Sequence, residues 1–260
     1  MNIVQSPYAC MRGDLTIRGL MIREDDRRRR KAVILSHGFM GSSRDMLPYA
    51  HYFAGQGYAA FVFDFCGGSM RSESDGATTD MSVLTECDDL MAVLDDVLAR
   101  EDVMRSPVTL FGASQGGLVS GLVASIRQKQ IGRLLMMFPA LCIPDDARRG
   151  SMLFYRFDPE NPPETIGEPG GMVLGRRYPM DVRDMDVFSA LAAYTGDVMI
   201  IHGTKDDVVS ADYALRMKQR YRPGQCELQF IDGGGHGFTE KQNEAMLRAV
   251  SAYLAAHDDI

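Results

Sequence analysis

Three polar residues, at positions 114, 206 and 236, are of the types that acyl transfer by a serine requires. That chemistry needs a hydroxyl to attack, a base to take its proton, an acid to orient the base, and donors for the developing oxyanion. Gly112-Ala113-Ser114-Gln115-Gly116 fits G-x-S-x-G, in which a sharp strand-to-helix turn lifts the serine hydroxyl above a sheet. The turn strains the serine backbone and draws the residues two before and two after it together. Glycine at both places removes the Cβ atoms that would collide. A bare G-x-S-x-G also arises as an ordinary glycine-rich turn, so its setting decides. Here an apolar, β-leaning run (Val108 to Phe111) precedes it and a helix-compatible stretch follows from Gly116.

His236 lies in Asp232-Gly233-Gly234-Gly235-His236-Gly237, which is flexible enough to bend back toward Ser114. Of the other histidines, His51 and His257 fall in helical stretches, while His37 and His202 each precede a glycine at a strand end. Asp206, in His202-Gly203-Thr204-Lys205-Asp206, is the acid favoured by spacing. Asp207 beside it is the alternative by residue type alone. The N–H groups of Gln115, next after the serine, and of Phe39, in His37-Gly38-Phe39, are the natural oxyanion pair. His37 and Gly38 then shape that loop, Gly38 by allowing close backbone approach.

These residues need a scaffold that collects them at one edge. Apolar runs at Leu15–Arg23, Ala32–Leu35, Ala59–Phe65, Val108–Phe111, Leu134–Phe138, Asp197–Ile201 and Cys226–Ile231 read as strands. Helices are expected over 45–56, 82–100, 116–129, 211–220 and 240–257. The helix over 82–100 should place Leu84, Leu90, Met91, Leu94, Val97 and Leu98 on its apolar side. Strands alternating with helices imply a doubly wound, mostly parallel α/β sheet covered on both faces, and each candidate follows a strand's C-terminal end. The rhythm fails over 139–190, which carries most of the prolines. This stretch reads as an inserted lid over the strand ends, leaving 1–138 and 191–260 as the core.

Composition fits that reading. A chain of 260 residues, 45% hydrophobic and 24% charged, suits one large α/β domain with a modest insertion. No apolar run approaches the ~20 residues of a membrane helix, and residues 1–14 lack the pattern of a secretory signal. Five scattered cysteines (Cys10, Cys66, Cys87, Cys142, Cys226) suggest neither a disulfide framework nor a zinc site, so a reduced, cytoplasmic protein is expected. A net charge of −7 argues against nucleic acid as a partner. The basic run Arg27-Arg28-Arg29-Arg30-Lys31, preceded by Glu24-Asp25-Asp26, reads as the solvated tip of a hairpin between Leu15–Arg23 and Ala32–Ser36. The expected partner is a small ester, with no membrane, no metal and no cofactor. The sequence leaves the oligomeric state open, a homodimer included.

The order Ser114, Asp206, His236, with His37-Gly38-Phe39 after an early strand, resembles the α/β-hydrolase fold over nearly the whole chain. Ser-His-Gly-Phe at 36–39, Phe-Asp-Phe at 63–65, Gly-Ala-Ser-Gln-Gly-Gly at 112–117 and His-Gly-Thr-Lys-Asp-Asp-Val-Val at 202–209 are similar to bacterial cinnamoyl (feruloyl) esterases. The resemblance implies a metal-independent serine esterase acting through an acyl-enzyme on hydroxycinnamoyl esters. It also implies that a lid aspartate and a lid tyrosine meet the phenolic end of the substrate. Asp146 and Tyr178 occupy the matching places, with Asp145 a close competitor. Cys66-Gly67-Gly68-Ser69 departs from the relatives' Gly-His-Gly turn, which bears on the wall of the acyl pocket. On the same triad the rivals are a short-chain acyl esterase or thioesterase and an S33-type peptidase. A binding protein that uses the pocket without the triad is the rival of another class.

Overall fold

The computed structural model describes residues 2–168 and 170–257. Among the described residues twelve strands form: β1 (Ile3–Arg12), β2 (Leu15–Glu24), β3 (Ala32–Ser36), β4 (Ala59–Phe63), β5 (Val108–Ala113), β6 (Ile131–Met137), β7 (Ser151–Met152), β8 (Tyr155–Arg156), β9 (Thr165–Ile166), β10 (Leu174–Gly175), β11 (Asp197–Gly203) and β12 (Cys226–Ile231). The helices are α1 (Ser43–Gly55), α2 (Val83–Ala99), α3 (Gln115–Ile126), α4 (Ile143–Arg149), α5 (Arg177–Val182), α6 (Val187–Ala192), α7 (Ala211–Arg220) and α8 (Glu240–Ala256). Eight strands make one sheet in the order β1-β2-β4-β3-β5-β6-β11-β12. β1, β2 and β4 pair antiparallel, and every pair from β4 onward is parallel.

The central strands β3 and β4 are apolar almost without a break because both faces are covered, whereas edge strand β12 leaves Glu227 and Gln229 exposed. Successive side chains go to opposite layers. In β3, Ile34 belongs to the same buried cluster as Leu90 of α2 and Leu118 of α3, while Val33 and Leu35 belong to the cluster on the other face with Phe53 of α1 and Val250 of α8. Ser36 pairs with Gly112, Ala113 with Met137, and Gly203 with Ile231. The C-terminal ends of β3, β5, β6, β11 and β12 therefore line up, and their loops share one edge. None of the described helices is long and apolar enough to cross a membrane.

Several expectations need correction. Arg27–Lys31 is not the tip of a hairpin: β4 lies between β2 and β3, and the hairpin partner of β2 is β1. Nor is the run wholly solvated. Arg30 is largely buried and pairs with Glu24 and with Asp26. β1 does not stand out in the sequence because it is an edge strand with one face wet and a proline, Pro7, which only an edge tolerates. Leu84 is exposed rather than on the apolar side of α2, which instead buries Val83, Cys87 and Val93. The strand over 59–65 stops at Phe63, and α3 stops at Ile126.

Between β6 and β11 the chain forms α4, two short hairpins (β7–β8 and β9–β10), α5 and α6. The boundary read at Ala190 falls inside α6, whose Leu191 packs onto α3 where Gly121 has no side chain. All five cysteines are buried and free.

Candidate active site

Ser114 sits at the break between β5 and α3 with φ 53° and ψ −119°, a conformation L-residues rarely adopt. Close packing enforces it. A Cβ at Gly112 would lie 2.2 Å from the Gly116 carbonyl oxygen, and one at Gly116 would lie 2.3 Å from the His37 carbonyl oxygen. The serine's own backbone is held at both ends. Its N–H donates to the Met137 carbonyl at 2.9 Å, and its carbonyl accepts from Gly117 and Ala140 at 2.9 and 3.0 Å.

The Ser114 Oγ lies 2.8 Å from His236 Nε2, and His236 Nδ1 lies 2.8 Å from Asp206 Oδ2. An ionised carboxylate only accepts, so Nδ1 carries the proton and Nε2 is left to take one from Ser114. The imidazole packs on Phe138, ring centroids 4.7 Å apart. The Lys205 N–H donates to the Gly234 carbonyl at 2.8 Å, tying the aspartate loop to the histidine loop. Asp206 Oδ1 accepts from the Val208 and Val209 amides at 3.0 and 2.8 Å. Oδ2 also lies 3.3 Å from His202 Nε2. Burial raises the Asp206 carboxyl, but its bonds to His202, His236 and Val209 outweigh that and hold it well below the ordinary range. Asp207 stands exposed at the cavity mouth.

His37 is buried, and that lowers its pKa. Its Nε2 accepts from the Phe65 N–H at 3.2 Å, so Nδ1 donates to the Gly38 carbonyl at 2.8 Å. In a trans peptide the N–H points away from the C=O, so the Phe39 N–H faces away from that imidazole. Gly38 stands against the serine: a Cβ there would lie 3.1 Å from Ser114 Cβ. The Gln115 N–H is at the first turn of α3, where no helical carbonyl reaches it and the dipole is positive.

A cavity of about 500 Å³ opens beside Ser114, walled by Phe39, Gln115, Ile143, Met152, Tyr155 and Tyr178. Asp146 and Arg149 also line it and form an ion pair. Burial raises the Asp146 carboxyl despite that partner. Asp145 is not part of this wall; it pairs with Arg148 and accepts from the Tyr213 hydroxyl at 2.5 Å. Tyr178 is buried, and its hydroxyl donates to Gln115 Oε1. The turn at 66–69 is absent from the wall, and Gly68 packs instead against Phe65 and His37. A second cleft of about 320 Å³ opens from the same Phe39, Ser114 and His236, with otherwise separate walls that include Met40, Met46, Tyr49, Arg71 and Phe138.

Sequence reasoning missed His202 as a partner of Asp206, although the pair sits four residues apart, His202 near the end of β11 and Asp206 in the loop after it. It also missed Glu86. The signal there is a carboxylate at helical spacing between Val83 and Leu90, on the buried side of α2.

Searching the curated proteins gives no match. Among solved structures, Est1E from Butyrivibrio proteoclasticus with bound ferulic acid superposes with a TM-score of 0.89 at 25% identity, covering 97% of this chain and all of that one. The α/β hydrolase GrgF from Penicillium sp. sh18 (TM-score 0.76, 17% identity) covers 99% of each chain. A monoacylglycerol lipase from Paleococcus ferrophilus (TM-score 0.69, 18% identity) covers 99% of this chain and all of that one. At such identities these two speak for the fold alone. The model of the serine aminopeptidase S33 family matches residues 27–159, half of the chain. The chain therefore belongs to the S33 family and is an α/β hydrolase.

Proposed function

We propose that this hydrolase is a serine esterase that cleaves hydroxycinnamoyl esters through an acyl-enzyme. The carrying observation is the unbroken hydrogen-bond chain from Ser114 through His236 to Asp206, set at the mouth of a largely apolar cavity. Ser114 attacks the ester carbonyl as His236 Nε2 takes its proton. Asp206 keeps the imidazole in the tautomer that can accept, and stabilises the imidazolium. The Phe39 and Gln115 amides receive the oxyanion. The imidazolium then protonates the leaving alcohol, and water repeats the sequence on the acyl-enzyme.

The two clefts suit the two halves of an ester. The larger one, beneath the inserted lid, takes the acyl half, with Asp146 and Tyr178 near its ring. Ferulic acid in the Est1E structure supports a phenolic acyl group here too. The alcohol half leaves by the second cleft. The working compartment is the cytoplasm, and the partner is a small ester.

Asp146 tests the substrate. It would contact a part of the substrate that does not react, where one hydrogen bond contributes about 0.5–1.5 kcal/mol and more to a charged acceptor. Asp146→Ala is expected to lower kcat/KM for methyl caffeate and methyl ferulate about tenfold, while methyl cinnamate and p-nitrophenyl acetate stay at the parent rate. Equal losses on hydroxylated and plain cinnamates would reduce Asp146 to a lid support. If the parent leaves hydroxycinnamates untouched but turns over short-chain p-nitrophenyl esters, acyl-CoA or prolyl-aminocoumarin, the corresponding rival takes over.

A further inference from the structure

Gln115 does more than offer an amide. Its side chain is fully buried and bonded at both ends, Nε2 donating to Glu86 Oε2 at 2.8 Å and Oε1 accepting from the Tyr178 hydroxyl. Glu86 belongs to α2 in the core and Tyr178 to α5 in the inserted segment, both 1% exposed. One carboxamide thus joins the core helix, the elbow and the lid. The same seam is fastened twice more, by Ser82 Oγ donating to Asp181 Oδ2 at 2.6 Å and Thr78 Oγ1 donating to the Val173 carbonyl at 2.5 Å.

This linkage bears on the elbow because Ser114, immediately before Gln115, holds a strained backbone. Such a conformation persists only where its surroundings over-determine it. Burial pushes the Glu86 carboxyl well above its ordinary range against the pull of the Gln115 bond, so a neutral acceptor is sufficient at that end.

Building on the esterase reading, we infer that Glu86 and Tyr178 are positioning residues acting through the Gln115 carboxamide. They fix the amide that receives the oxyanion, and they make the seating of α5 a condition for fast turnover. The Tyr178 hydroxyl then serves every ester, phenolic or not.

The test compares Tyr178→Phe, Glu86→Gln and Glu86→Leu on p-nitrophenyl acetate, methyl cinnamate and methyl ferulate. Tyr178→Phe and Glu86→Leu are expected to lower kcat about tenfold on all three esters with KM within twofold, a fraction of what a whole oxyanion donor supplies. Glu86→Gln, whose amide oxygen still accepts from Gln115, should stay within threefold of the parent. A Tyr178→Phe loss confined to methyl ferulate and carried by KM would overturn the inference in favour of a substrate contact. So would Glu86→Gln as slow as Glu86→Leu, or parental kcat in Tyr178→Phe. Should Glu86→Leu fail to fold, the other two variants decide. If the parent cleaves no ester, the esterase reading falls, and the rate of Ser114 labelling by a fluorophosphonate reads the linkage instead. Labelling about tenfold slower in Tyr178→Phe supports it, and an unchanged rate overturns it.

Discussion

Ser114, at φ 53° and 2.8 Å from His236 Nε2, has a hydroxyl that nothing nearby in the sequence could replace. Ser114→Ala is expected to leave the fold intact and cut ester hydrolysis by roughly 10⁴–10⁶. More than a tenth of the activity remaining would exclude Ser114 as the nucleophile. Asp206→Asn should cost about 10⁴ through the wrong imidazole tautomer, whereas exposed Asp207 should tolerate the same change. Asp206 also links stability to pH. Its folded carboxyl lies below the unfolded value of about 3.9, so between the two the native state binds fewer protons. Its contribution is complete above about pH 4 and is lost as the pH falls through the folded value. The fall in urea midpoint from pH 7 to pH 3 should therefore be smaller in Asp206→Asn than in the parent, and an equal fall would count against this linkage.

The elbow shows why element-level reasoning from the sequence works in some places and fails in others. Gly112 and Gly116 announce a close approach, and the structure puts each against a backbone oxygen. Gly116→Ala should destabilise by about 1–3 kcal/mol or more through overpacking and abolish activity. Gly55→Ala, at the end of α1 with nothing within 4 Å of the added Cβ, should instead stabilise by about 0.5–1 kcal/mol. Urea midpoints distinguish the two. β12 and α7 were legible to the residue and the other parallel strands to within three residues at each end, because an apolar run bounded by turn residues marks a strand more sharply than it marks its ends. β1 was not, since at a wet edge half its side chains carry no burial signal. The misplaced basic hairpin has a topological cause: β3 enters the middle of the sheet, so its chain neighbour β2 is not its spatial neighbour. Of the candidate site, the residues carried by strand ends were readable from spacing. The Gln115 linkage was not, because Glu86, Gln115 and Tyr178 lie 29 and 63 residues apart and only packing unites them.

On the scale of the whole molecule, the sheet divides labour between its two ends. Arg27–Lys31 and their acidic partners precede the N-terminal end of β3, while every loop of the candidate site follows a C-terminal end. Ser114 and His236 stand between two cavities with largely separate walls, and for the proposed esterase that arrangement would set an order of events. On the proposed esterase reading, once the acyl group is on the serine the alcohol would depart through one cavity while the acid half still fills the other. The next nucleophile can then enter by the vacated route. Kinetics should be ping-pong, with the free acid competing against the ester. Methanol or glycerol added to a hydroxycinnamate reaction should intercept the acyl-enzyme, and the ratio of new ester to free acid should rise linearly with alcohol concentration. Chromatography of the products measures that ratio; a value pinned at zero would mean that water alone has access. Given enough alcohol, the same site would exchange one ester for another in place of hydrolysing it.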